Sequence, residues 1–187
     1  MKTIAVFCGS KAGGSPKYLA AARLMGTLCA HAGWGLVYGG GRVGLMGAVA
    51  DAALAAGGQV IGVIPKKLMD REVAHPGLTT LEVVPDMAQR KDRMIAQSDA
   101  FVSLPGGLGT LDEMFEVLTL AQLNYHAKPS AILNLDGFYD GLIANCATMS
   151  KEGFLYPGVW ESVICEDSPA RLMERLQRVL ESGTFKS

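Results

Sequence analysis

The chain is poor in the residues that announce several common chemistries. Its three histidines, His31, His75 and His126, are scattered and form no H-E-x-x-H pattern, so no dedicated metal site is expected. None of its four cysteines, Cys8, Cys29, Cys146 and Cys165, is spaced as C-x-x-C. Two of them fall in apolar strand-like runs, which reads as buried free thiols in a reducing compartment. Neither sign of charge dominates: 17 Lys and Arg against 18 Asp and Glu leave a net charge of -1. That balance gives no electrostatic footprint for nucleic acid or for an anionic membrane. The first apolar run, over residues 3–9, is too short for a signal-peptide core or a membrane span. No linker, long repeat or low-complexity tract interrupts the sequence. These absences leave a soluble, cytoplasmic protein as the expectation.

What the chain does have is apolar bulk. Hydrophobic residues make up 49% of 187 positions and charged residues 19%, enough for one domain over residues 1–187 with a substantial core. Seven strand-like runs stand out, at 3–9, 35–40, 59–65, 79–85, 100–105, 129–135 and 162–166. Most are continuously apolar rather than alternating, as expected for parallel strands covered on both faces. Helical stretches lie between them. Ser15 followed by Pro16 starts one that runs to about His31. Residues 44–56 are small and Ala-rich, and Asp86 with Gln89 forms a capping box for a helix to about Gln97. Further helices are expected at 110–123, 138–152 and 169–181, and residues 66–78 as a loop over a ligand site. Met25, Met46, Met87, Met94, Met114 and Met149 fall in the helical stretches and read as core fillers. This alternation predicts an α/β fold: a single, doubly wound, mostly parallel sheet of about seven strands, Rossmann-like. In such sheets ligands bind beyond the carboxyl ends of the strands, where the strand order reverses.

Three segments at those ends carry chemistry. Residues 105–113 read Pro-Gly-Gly-Leu-Gly-Thr-Leu-Asp-Glu, directly after an apolar strand. Glycines there leave backbone amides open to a ligand, and a helix start adds orphan N–H donors and partial positive charge. The combination suits a phosphate, with the Glu113 carboxylate about one turn beyond it. The structural alternative is a capping box, with Thr110 as N-cap and Glu113 at the third helical position. The second segment, residues 39–44, fits G-x-G-x-x-G after a strand. It reads as a dinucleotide fingerprint, as a tight turn with close helix packing, or as a second wall of the same nucleotide site. The next strand ends in Ile-Pro-Lys-Lys rather than in the acid a dinucleotide fingerprint needs. The third segment is Arg90-Lys91 near the start of its helix. It is either a solvated face or a bidentate grip on phosphate and sugar oxygens.

Taken together, residues 86–91, Met94, residues 98–101 and the motif at 105–113 resemble the LONELY GUY (LOG) family. Its members are cytokinin riboside 5′-monophosphate phosphoribohydrolases, and related proteins were long mislabelled lysine decarboxylases. The likeness extends to residues 7–10, 38–41, 44–47, 121–123, 128–129 and 133–137. It departs at Ala88, where family members often carry His. The decarboxylase label would require a pyridoxal-phosphate lysine, and no lysine here stands out for that role. The resemblance implies hydrolysis of the N-glycosidic bond of a purine or cytokinin nucleoside 5′-monophosphate, AMP included. The products would be free base and ribose 5-phosphate, with no cofactor and no metal, in a homodimer. It implies Arg90 and Glu113 as catalytic residues. Ser10, Gly40, Gly41, Glu72, Arg90, Lys91, Gly106, Gly107, Leu108, Gly109, Thr110, Leu111, Asp112 and Thr119 would hold substrate and its phosphate. Rival readings are a nucleotide or molybdenum-cofactor carrier, and an NAD(P)-dependent oxidoreductase resting on residues 39–44.

Overall fold

A computed structural model describes residues 1–69 and 73–182. Seven strands form one sheet: β1 Thr3–Phe7, β2 Gly35–Tyr38, β3 Val60–Pro65, β4 Thr80–Val84, β5 Ala100–Ser103, β6 Ser130–Leu133 and β7 Ile164–Glu166. Every neighbouring pair is parallel. The order across the sheet is β4-β3-β2-β1-β5-β6-β7. Six helices alternate with the strands: α1 Pro16–His31, α2 Gly44–Ala55, α3 Met87–Ala96, α4 Leu108–Gln122, α5 Asp140–Lys151 and α6 Pro169–Ser182. This is the doubly wound, Rossmann-like α/β fold expected from the alternation. Five strands end before their apolar runs do, β2 because Gly39 and Gly40 after it have left the ladder, while β3 and β7 end where the runs end.

Alternation along β1 shows the layering. Ile4 and Val6 pack into a core with Met25 of α1, Val49 of α2 and Leu172 of α6. Ala5 and Phe7 face the other way, onto Met94 of α3 and Val117 of α4. Met114, Leu118, Ile132 and Tyr139 extend that second face toward α5. Each fully buried aliphatic or aromatic side chain adds about 1.5–3 kcal/mol of transfer free energy. Both faces of the sheet are apolar and covered, so the continuous runs in the sequence follow directly from the parallel topology. Among the described residues, no helix is long and apolar enough to cross a membrane.

The strand order reverses between β1 and β5. Connections from β1 run outward to β4, then the chain crosses back to lie on the other side of β1. The carboxyl ends of β1 and β5 therefore open side by side, and the Gly9 amide donates to the Pro105 carbonyl across the gap at 3.2 Å. Residues 9–10 and 105–110 meet at this switch point, as the topology rule requires.

Three helix starts differ from the expected caps. Ser15 is the N-cap of α1, but its side chain makes no capping hydrogen bond. Asp86 caps α3 through Oδ1, which accepts from the Gln89 amide at 2.9 Å. Gln89 answers with its side chain to Asp86 Oδ2 at 3.4 Å rather than to the backbone. The larger difference is in α4. Its N-cap is Gly107 and its first residue Leu108, so Thr110 is not a cap and the Thr110–Glu113 capping box does not exist. The helix starts early because the Gly107 carbonyl already accepts from the Leu111 amide at 3.1 Å.

Candidate active site

The early start of α4 decides what its first turn offers. In a helix capped at Gly107, the amides of Leu108, Gly109 and Thr110 have no intrahelical acceptor, and the helix dipole ends there. These amides border a cavity of about 440 Å³, within the ~300–1,000 Å³ common for small-molecule sites. It is lined by the ends of β1 and β5, by the starts of α2, α3 and α4, and by Tyr18 and Phe138.

The glycines of this loop are not equivalent. A Cβ on Gly106 would lie 2.1 Å from Thr110 Oγ1, so glycine there lets the buried Thr110 hydroxyl pack against the chain. A Cβ on Gly107 or Gly109 would meet nothing within 4 Å, and neither residue has positive φ. The fold alone does not require glycine at these two positions. Without side chains there, the amides at the start of α4 lie open to the cavity.

Glu113 lies one turn beyond Thr110 on the same face of α4, 8% exposed and lining the cavity. Arg90 reaches the cavity from the first turn of α3 and is 4% exposed, which overturns the solvated-face reading. Its Nε donates to the Val63 carbonyl at 3.1 Å and its Nη2 to the Gly39 carbonyl at 2.7 Å. A Cβ on residue 39 would come within 1.9 Å of Nη2, so Gly39 is a glycine because Arg90 occupies the space. Cys8 sits against both charges. Burial pushes its thiol pKa far up, Glu113 pushes the same way, and Arg90 partly offsets them. The thiol is therefore neutral near pH 7 and is no nucleophile.

The remaining expected site residues divide. Ser10, Gly106, Gly107, Leu108, Gly109 and Thr110 line the cavity with Arg90 and Glu113. Gly40 and Gly41 do not. The Gly40 carbonyl accepts from His75, Gly41 bridges to Ala74, and the Arg42 amide donates to Val73. The 39–44 segment thus forms a strip on which residues 73–75 dock, and its neighbours Leu45 and Met46 provide the cavity wall. Lys91 and Asp112 pair with each other at 3.1 Å, and Lys91 also reaches Glu116 at 2.9 Å, outside the cavity. Leu111 packs toward the α5 side and Thr119 is exposed farther along α4; neither lines the cavity. Glu72 lies outside the described residues. Met87, expected in the core, is 38% exposed and lines the cavity. Leu68, from the 66–78 segment expected over the ligand site, lines it too, whereas reading the sequence missed Cys8, Lys11, Tyr18 and Phe138. No local motif marks Tyr18, whereas Phe138 follows the 133–137 segment directly. Among the described residues no cluster of three His, Cys, Asp or Glu could hold a metal.

Comparison with known proteins agrees with this geometry. The family model described as "Possible lysine decarboxylase" matches residues 46–176. A cytokinin riboside 5′-monophosphate phosphoribohydrolase of Arabidopsis thaliana is 44% identical over 176 residues, covering 94% of this chain and 83% of that protein. One from Rhodococcoides fascians is 48% identical over 168 residues, covering 89% and 85%. Among solved structures, the molybdenum cofactor binding protein of Rippkaea orientalis superposes with a TM-score of 0.74 at 26% identity, covering 96% of this chain and 97% of that one. With the relatives' identity and coverage added to the glycine loop, Arg90 and Glu113, the chain belongs to the LOG family of cytokinin riboside 5′-monophosphate phosphoribohydrolases.

Proposed function

We propose that this chain is a phosphoribohydrolase. It hydrolyses the N-glycosidic bond of cytokinin riboside and purine nucleoside 5′-monophosphates, AMP among them, to free base and ribose 5-phosphate. The observation that carries the reading is Glu113 one helical turn behind an open amide end, in the same cavity as buried Arg90. The substrate's phosphate sits on the amides of residues 108–110 with the Thr110 hydroxyl. Its remote binding energy holds the sugar for attack. As the C1′–N bond breaks, its electron pair leaves with the base and positive charge builds on the ribose. The Glu113 carboxylate stabilises that charge and orients or deprotonates the attacking water. One hydrogen of the water stays on the new C1′ hydroxyl and the other ends on the base. Arg90, fixed by two carbonyls, supplies a preset cation beside sugar and phosphate.

The test is release of free base from AMP and isopentenyladenosine monophosphate, compared with their dephosphorylated nucleosides. The monophosphates react with kcat/KM at least about a hundredfold higher, the scale of losing several charge-assisted hydrogen bonds. Equal values on both forms refute the phosphate placement. No turnover on any monophosphate, with binding intact, would favour the carrier reading, which rests on the fold shared with the Rippkaea protein.

The same proposal places the protein in the cytoplasm as a homodimer of one Rossmann-like domain. Exposed Leu123, Tyr125, Phe154 and Tyr156 support an apolar contact between copies. Light scattering at micromolar concentration checks this state.

A further inference from the structure

The segment between β6 and α5 was legible as a motif but had no role. Asn134 knots it: Nδ2 donates to Asp140 Oδ1 at 2.8 Å, and Oδ1 accepts from the Tyr139 amide at 2.7 Å. Asp136 and Gly137 reverse the chain with φ of 49° and 74°. Lys17 of α1 pairs with Asp136 at 2.9 Å. The turn sends two successive aromatic residues in different directions. Phe138 lines the cavity and meets Tyr18 edge-on, with ring centroids 5.7 Å apart. Tyr139 turns inward and is 3% exposed among Met114, Leu118 and Ile132.

These neighbours are apolar, so phenylalanine would serve them as well. A buried hydroxyl is costly unless it is bonded. The Tyr139 hydroxyl is bonded, donating to the Leu104 carbonyl at 2.7 Å. Leu104 is 1% exposed and immediately precedes Pro105, whose own carbonyl accepts from the Gly9 amide at 3.2 Å. Two successive carbonyls at the root of the glycine loop are thus held from opposite sides. One tether comes from the end of β1 and one from the turn after β6.

We infer that Tyr139 is a positioning residue for the phosphate site: its hydroxyl fixes the root of the glycine loop and so sets where the amides of residues 108–110 stand. The inference rests on the phosphate-binding reading above. It separates Tyr139 from the residues that touch substrate, because its effect reaches the ligand only through the loop.

The decisive variant is Tyr139→Phe, which keeps the ring and removes one hydrogen bond. Ribose 5-phosphate binding and kcat/KM on AMP both fall about tenfold, the scale of a lost buried hydrogen bond. Inhibition by adenosine, which carries no phosphate, stays unchanged, and the protein melts within a few degrees of the parent. Asn134→Ala loosens the turn that aims Tyr139 and shows the same split. A purely structural role would weaken adenosine and ribose 5-phosphate together, or neither, and either result overturns the inference. If the parent protein releases no base from AMP, the hydrolase reading fails by itself. Ribose 5-phosphate affinity then judges Tyr139 alone: weaker binding by Tyr139→Phe sustains it and equal binding refutes it. A parent protein that binds no ribose 5-phosphate refutes the phosphate placement and, with it, the role of Tyr139.

Discussion

Replacing Gly109 with alanine moves stability and function in opposite directions. Gly109 is the second residue of α4, has no positive φ, and its added Cβ meets nothing within 4 Å. In a helix, alanine is favoured over glycine by up to about 1 kcal/mol, mainly by reducing the freedom of the unfolded chain. For a protein of this size that gain raises the melting temperature by roughly 2–4 °C. The same methyl group is harmful to a ligand. Cα–Cβ bonds tilt toward the helix N-terminus, so the new Cβ projects to where a phosphate would rest on the amides. A phosphate oxygen must come within about 3 Å of an amide nitrogen, and the added carbon holds it off. Losing one such charge-assisted bond weakens binding by about 1.5–3 kcal/mol, or roughly 10- to 150-fold. The assay is thermal melting together with ribose 5-phosphate affinity and AMP hydrolysis on one preparation. A variant that melts higher yet binds ribose 5-phosphate like the parent refutes the amide cradle. Gly106→Ala is the internal contrast: its Cβ runs into Thr110 Oγ1, so it lowers the melting temperature.

Glu113→Gln keeps volume and hydrogen-bonding capacity but removes the charge. Base release falls about a hundredfold or more, the scale of losing a positioned acid or base, while AMP still binds; near-parental turnover would return Glu113 to a structural role. Arg90→Lys retains the charge but not the planar fork that meets Val63 and Gly39 together. Because one of those buried carbonyls loses its donor, the variant should lose about 1–3 kcal/mol of stability as well as turnover, read by denaturant titration. A variant as stable as the parent would contradict the two bonds. His126 has its pKa held below the ordinary 6.5 by burial and by Lys128, against a raising contact with the Val117 backbone. The unfolded chain therefore takes up this proton first, so stability present above pH 6.5 is lost as the pH falls below it. His126→Gln should flatten the melting temperature between pH 7 and 5, and an unchanged slope would place the acid sensitivity elsewhere.

The sheet was readable because its determinants are local. Parallel strands buried on both faces must be apolar throughout, and turn glycines and prolines punctuate them, so all seven strands and six helices emerge from pattern alone. Their parallel pairing followed from the alternation, but register and the placement of β4 and β7 at the edges depend on tertiary packing. The glycine loop at 105–110 was legible for a similar reason, since its glycines sit directly against a helix start. The start of α4 was not. A Thr followed three residues later by Glu satisfies the capping-box pattern, but Gly107 captures the first helical hydrogen bond and moves both residues into the helix. Gly40 and Gly41 were misplaced because glycine reports close approach without naming what approaches. At Gly40 it is Ile64 and Leu81, on a backbone of positive φ, while its carbonyl takes the His75 amide. Tyr18 escaped because it arrives from a helix with no motif of its own, brought in only by the folded sheet.

The contact between Arg90 and Gly39 makes two distant positions behave as one heritable unit. No side chain fits at 39 while the guanidinium holds its place, and no lysine can follow the same route to both carbonyls. An alanine or serine at position 39 would force the guanidinium to move. The second glycine-rich segment thus serves the site from behind: the side chain that residue 39 lacks is the room in which the buried cation stands.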